Sequence, residues 1–273
     1  GGIGDRVPVL LNPRPLGRIP AQHPTVDEVQ AFVVMVPLPD GGPVFLDATS
    51  RYSDANVLPA SLLSDKARIY GVNDESGWVD LSRLTNSAIQ CNVLGAVGEE
   101  GLLEGKIIQF YTNQAGFDMK ERYAKAGSEE EYIATLGEGD DLTIGEYSIS
   151  GLDAARVQET YDFTLRLNQA GDHIYLNATA LPFMSKSPLT QQQRILPVEF
   201  DYRKSYIISC QIEIPEGYAV EELPEGKSVS ACDDGVKFTY MTRQAGNMLQ
   251  VRMTFQMERI VYPPYEYEDL HTF

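Results

Sequence analysis

The sequence predicts a mainly β protein of the α+β class, and three observations predict it. Strict alternation runs through Tyr161-Asp162-Phe163-Thr164-Leu165-Arg166-Leu167 and through Val251-Arg252-Met253-Thr254-Phe255-Gln256-Met257, which is the pattern of half-buried strands. Turn signals at Gly151, Gly171, Asp233-Asp234-Gly235 and Ala245-Gly246-Asn247 recur at hairpin intervals. Helical patterning is confined to two short stretches between Phe117 and Leu136. Strands with one wet face and one buried face suit an antiparallel, sandwich-like domain carrying one or two short helices.

In chain order, Arg6-Val7-Pro8-Val9-Leu10-Leu11 reads as a short strand, and Pro13, Pro15, Gly17 and Pro20 then mark an irregular loop. Ala31-Phe32-Val33-Val34-Met35-Val36 is β-branched and apolar. Pro39-Asp40-Gly41-Gly42 supplies a turn after it, and Val44-Phe45-Leu46 completes a hairpin that ends on Asp47. Leu58 to Ser64, Ala67 to Gly71 and a short strand at Gly77-Trp78-Val79-Asp80-Leu81 follow, with Trp78, the only tryptophan, expected as a packing anchor. From Ala88 the strands lengthen: Ala88–Ala96 and Leu102–Thr112 flank the turn Gly98-Glu99-Glu100-Gly101. Phe117 to Ala124 has helical spacing. Ser128-Glu129-Glu130-Glu131 is a capping box that opens a second helix through Leu136, stopped by Gly137. The expected division is therefore a small lobe over 1–85 and a larger β-sandwich-like domain over 86–273.

Composition excludes several functions. The 273 residues carry 22 Lys+Arg against 39 Asp+Glu, for a net charge of −17, and no basic run. Binding to nucleic acid or to an anionic membrane surface is disfavoured. No apolar run approaches the roughly 20 residues that span a bilayer. No signal peptide is visible, and Gly1-Gly2 reads as a trimming or tag scar. Cys91, Cys210 and Cys232 lie far apart without histidines at ligand spacing, so no metal or other cofactor is expected. Buried reduced thiols are the favoured reading, a Cys210–Cys232 disulfide the alternative. No phosphate-binding glycine loop, H-E-x-x-H or G-x-S-x-G motif occurs.

Other polar groups read as structural. Glu138, Asp140-Asp141 and Asp233-Asp234 lack the spacing of a calcium loop and are taken as solvated turns. His173, after Gly171-Asp172, is a turn-proximal surface residue. The aromatics Tyr262, Tyr265, Tyr267 and Phe273 are expected to cover a sheet end, the alternative being a sugar or peptide platform. Asn177-Ala178-Thr179 matches a glycosylation acceptor without further support.

The stretch Val44-Phe45-Leu46-Asp47-Ala48-Thr49 resembles the last two strands of a transglutaminase-like, papain-like Cys-His-Asp core. In that family one strand opens with the catalytic His and the next ends in an Asp, which orients the imidazole that activates a Cys thiolate. The resemblance puts Asp47 in the place of the third triad member. The His place falls at Ala31 in Val29-Gln30-Ala31-Phe32, where related envelope proteins tend to read Phe-Asn-His or Phe-Asn-Tyr. His23 is eight residues too early and precedes Pro24. No Cys precedes Ala31, and Gly2-Ile3-Gly4 resembles the phrase that ends the nucleophile helix. Leu58-Pro59 to Trp78-Val79-Asp80-Leu81 is similar to the order that closes such cores.

Phrases at Phe117-Asp118, Ser128 to Ile133, His173 to Asn177, Gln193 to Val198, Ile214 to Tyr218 and Tyr265 to Leu270 resemble the domain of unknown function attached to them. The resemblance thus implies the second half of a transglutaminase-like core, with Asp47 a relic, followed by a β domain. That portion would be non-catalytic and would serve for interaction or scaffolding. It implies a bacterial protein of the periplasm or outer membrane whose partners are envelope proteins or polysaccharides. The alternative is a cysteine peptidase, amidase or acyltransferase whose nucleophile lies upstream.

Overall fold

Two antiparallel hairpins build the first sheet. In a computed structural model, residues 6–22, 25–39, 41–71, 76–84, 86–136, 142–176 and 188–273 are described. Gly2-Ile3-Gly4, His23, Asp40, Gly137, Glu138, Asp140-Asp141 and Asn177-Ala178-Thr179 lie outside them. Strands β1 (Val7–Leu11), β2 (Ala31–Val36), β3 (Val44–Leu46), β4 (Ala67–Ile69) and β5 (Gly77–Val79) lie in the order β3-β2-β1-β4-β5. Register sets Val9 opposite both Val33 and Ile69, and Met35 opposite Phe45. These residues share one face, which packs on Leu58, Leu62, Leu63 and Leu81. Pro59 initiates the 3-10 turn Ala60–Leu62 that delivers those leucines.

The other face of this sheet is also apolar. Leu10 pairs with Phe32 and Arg68, Val34 with Leu46, and Arg68 with Trp78. Phe32 is 61% exposed and Trp78 37% exposed. Trp78 is therefore not the buried anchor the sequence led us to expect. In a three-residue edge strand the pleat turns Gly77 and Val79 one way and Trp78 the other. Its ring carries the Arg68 guanidinium, 5.3 Å from its centroid.

The second sheet has eight strands. β6 (Ser87–Val97) and β7 (Leu102–Thr112) form a hairpin, followed by α1 (Gln114–Lys125) and α2 (Glu129–Leu136). β8 (Leu142–Ser150) and β9 (Arg156–Arg166) form the next hairpin, then the small pair β10 (Asn168–Ala170) and β11 (His173–Tyr175). The two-residue β12 (Val198–Glu199) precedes β13 (Lys204–Glu213), β14 (Lys227–Ala231), β15 (Val236–Ala245) and β16 (Met248–Met257). β17 (Val261–Tyr262), paired to β12, and α3 (Tyr267–Thr272) end the chain.

The strand order is β14-β15-β16-β13-β6-β7-β9-β8. The mainly β expectation holds, and the long strands form one mixed sheet, with β10-β11 and β12-β17 as separate two-stranded pairs. β13 runs parallel to β6, with Ile208 opposite Cys91 and Cys210 opposite Val93. Alternation reports one covered face and cannot tell two stacked sheets from one broad one.

The covered face is continuous. Val93, Ile107, Tyr161, Phe163, Cys210 and Val251 lie on it, with Ile174, Leu176, Ile214 and Leu223 from connecting segments packed against them. Gly105 is required where it sits, because a Cβ there would come within 2.1 Å of the Leu94 carbonyl oxygen. α1 and α2 cover one end of the same face through Ala115, Met119 and Tyr132. The capping box forms its expected bond, with the Glu131 N–H donating to Ser128 Oγ at 3.1 Å.

Candidate functional site

Asp47 follows β3 on the inward face shared with Phe45. Extending the β2–β3 register by one residue sets Asp47 opposite Val33, with Ala31 two residues further along that face. Its carboxylate is half-buried and saturated locally. Thr49 donates its backbone N–H at 3.2 Å and its hydroxyl at 2.8 Å, and the Ser53 hydroxyl donates at 2.9 Å. Asn56, at φ 61°, closes the loop by accepting from Phe45 N–H through its side chain and donating its own N–H back to Phe45.

The loop leans on α1. The Tyr52 ring meets Phe117 of α1 edge-on, and Gln114 Nε2 donates to the Asn56 carbonyl. The described histidines are elsewhere: His173 pairs with Glu221 on the surface, and the His271 ring lies tilted against Tyr267. Hydroxyls and an amide thus occupy this carboxylate, and its place in a triad is carried only by the resemblance.

Because Asp47 holds a turn, Asp47→Asn should be nearly neutral, since an amide can exchange bonds with the same two hydroxyls. Asp47→Ala should cost about 1–2 kcal/mol, the usual loss when a turn-closing acceptor is removed. Urea unfolding of both variants checks this. Equal losses would show that the charge itself is required.

A second cluster lies where the two sheets meet. Tyr202, just before β13, is buried in the core of the five-stranded sheet, and its hydroxyl donates to Asp118 of α1 at 2.5 Å. Burial raises the Asp118 carboxyl above its ordinary range, while the Tyr202 bond works the other way. Beside this plug, a cavity of about 500 Å³ is lined by Arg14, Arg18, Arg83, Arg203, Arg259 and four carboxylates. Glu199 ties Arg14 (3.4 Å) and Arg18 (3.0 Å), so β12 is clamped to the segment between β1 and β2.

The third cluster is buried. Glu159 of β9 has no exposed surface. Tyr111 donates to its Oε2 at 2.5 Å, Tyr147 to its Oε1 at 2.8 Å, and Tyr132 of α2 also bonds it. Gln109 links the hydroxyls of Tyr111 and Tyr161 at 2.8 Å each. Burial opposes the charge of Arg122 in α1, yet Tyr132, Tyr111, Glu159 and Asp118 together raise its pKa. Glu159 was not singled out from the sequence, although a usable signal was there. It occupies an inward position, with Val157 and Tyr161 on either side in the alternation. The arginine cavity and Tyr202 left no comparable pattern.

The remaining candidates are structural. All three cysteines are free and buried, as the favoured reading expected. Burial pushes the Cys210 thiol up to about 11 and the Cys91 thiol higher still. Asp233 and Asp234 occupy left-handed positions in the β14–β15 turn. Among the described residues no group of His, Cys, Asp and Glu is placed to hold a metal. No described helix is long and apolar enough to cross a membrane. Tyr262 and Tyr267 cover the end of the large sheet with Val236 and Met257, whereas Tyr265 points outward.

Residues 172–273 match the family described as a domain of unknown function with a solved structure, DUF3858. The match takes in β13 to β16 and leaves β6 to β9, the other half of the same sheet, outside it. No curated protein matches the chain. The crystal structure of a putative protease from Parabacteroides distasonis is similar over 98% of this chain, at 12% identity and a TM-score of 0.49. The chain spans 37% of that protein's length.

Proposed function

We propose that this chain is the non-catalytic C-terminal portion of a transglutaminase-like envelope protein, divided near residues 85–86 and acting as an interaction or scaffolding module. The observation that carries it is the setting of Asp47, whose carboxylate is satisfied by Thr49 and Ser53 one residue beyond the β2–β3 pairing. No described histidine stands at that position, and without an imidazole there a thiol has no base and the carboxylate has nothing to orient. The apolar outer face at Phe32, Leu46, Tyr70 and Trp78 supports reading the first lobe as part of a larger core, since monomers seldom expose such a surface. Its partners would be envelope proteins or polysaccharides, in the periplasm or at the outer membrane.

The purified chain is expected to show no transamidase, amidase or peptidase turnover. Its thiols should react slowly with iodoacetamide until it is unfolded, because burial keeps Cys91 and Cys210 protonated. Turnover abolished by Cys91→Ala would overturn the proposal. Cell fractionation of the native host tests the location.

A further inference from the structure

We propose that the cavity between the lobes is a binding site for a small ligand bearing a single carboxylate, held by the guanidinium of Arg203. This goes beyond the reading of Asp47 and does not rest on it, because Asp47 is not among the residues lining the cavity. A volume of about 500 Å³ lies within the usual range of about 300–1,000 Å³ for small-molecule sites.

The arginines around it are not equivalent. Arg14 and Arg18 share Glu199, Arg18 also holds Asp65 at 2.6 Å, Arg83 holds Asp80 at 3.0 Å, and Arg259 holds Glu266. Arg203 has no carboxylate within ion-pair distance among the described residues. Its Nη2 donates to the Arg83 carbonyl at 3.1 Å, and its Nε is buried with no acceptor. Arg203 is thus the one arginine of the lining whose charge no carboxylate among the described residues offsets, and a planar carboxylate is the group whose two oxygens match a guanidinium edge.

The charge of the ligand follows from the rest of the lining. Asp65, Asp80, Glu199 and Glu258 stand around the same space, so a second negative charge would be repelled. This favours a monoanion over a phosphate dianion. Glu258 makes no ion pair or side-chain hydrogen bond among the described residues, which leaves an acceptor for a ligand hydroxyl or amide N–H. Leu63, Ile260 and Val261 supply an apolar wall for the ligand body. A peptide C-terminus and a uronic acid both meet these requirements.

The test is calorimetric titration of the whole chain with four probes. These are an N-acetylated alanine dipeptide with a free C-terminus, the same dipeptide amidated, glucuronic acid and inorganic phosphate. At least one carboxylate probe should bind saturably, and the amide at least tenfold more weakly than the free dipeptide if the dipeptide is the one that binds. Phosphate should bind more weakly than the carboxylate probe. Arg203→Gln should lose tenfold or more in affinity, and Arg203→Lys less, with unchanged far-ultraviolet spectra. Preference for the dipeptide assigns a peptide source, and preference for glucuronic acid assigns a sugar. Equal binding of acid and amide, saturable binding by neither carboxylate, or phosphate binding most tightly would each overturn the proposal. The acid–amide comparison uses the unmodified protein, so it stands even if an Arg203 variant fails to fold.

Discussion

Glu159→Ala should destabilise the protein by about 3–5 kcal/mol, the range for removing one member of a buried charged network. The loss has two sources. The hydroxyls of Tyr111 and Tyr147, which bond Glu159 directly, would be left buried without that acceptor. Arg122 would lose one of the charges that offset its burial. Glu159→Gln keeps the shape and one acceptor oxygen, and should cost less than half as much. Urea denaturation of the three proteins measures this, and an alanine variant within 1 kcal/mol of the parent would show the network to be dispensable.

The same cluster sets an alkaline limit. Burial first, and the Glu159 charge second, hold Tyr111, Tyr132 and Tyr147 above the ordinary phenol range. The unfolded chain would ionise them near pH 10 while the folded chain keeps them protonated. Between those points the folded state binds more protons, so stability must fall as pH rises above about 10. Tyrosinate absorbance should then appear together with unfolding rather than before it.

Tyr202→Ala should be comparably damaging, at about 3–5 kcal/mol for a large aromatic removed from a core. It should also change the character of unfolding. Tyr202 is 4% exposed and sits in the core of one sheet, two residues before β13 of the other. Emptying that socket should let the five-stranded lobe melt separately, turning one calorimetric transition into two. Tyr202→Phe keeps the packing and removes only the bond to Asp118, so it should lower stability by about 1.5–3 kcal/mol without splitting the transition. A single unsplit transition in the alanine variant would show that the other contacts, the clamp around Glu199 and the Tyr52–Phe117 pair among them, couple the two sheets without it.

What could be read from the sequence was what local chemistry decides. The β2–β3 hairpin follows from a β-branched run before Gly41-Gly42. The capping bond of Ser128 follows from its spacing to Glu131, and the left-handed Asp233-Asp234 from a turn that glycine completes. The backbone N–H groups of Thr49 and Ser50 are the partners nearest to Asp47 in sequence, and of the two it is Thr49 that bonds it. Ser53 was not foreseeable, because it returns to Asp47 only when Asn56 locks the loop onto Phe45. Trp78 was misjudged because a three-residue strand gives no alternation to fix its side. The cavity at Arg203 draws on segments from both ends of the chain, and no local rule joins them.

The parallel seam between β6 and β13 has a consequence for biosynthesis. β6 leaves the ribosome roughly a hundred residues before β13 begins. At about 5–20 residues per second, its outer backbone edge goes without a hydrogen-bonding partner for about 5–20 s. An open strand edge of 11 residues is a template for pairing with another nascent chain. Slowed translation between Val97 and Lys204 should therefore lower the soluble yield, whereas an equal pause after Met257 should not.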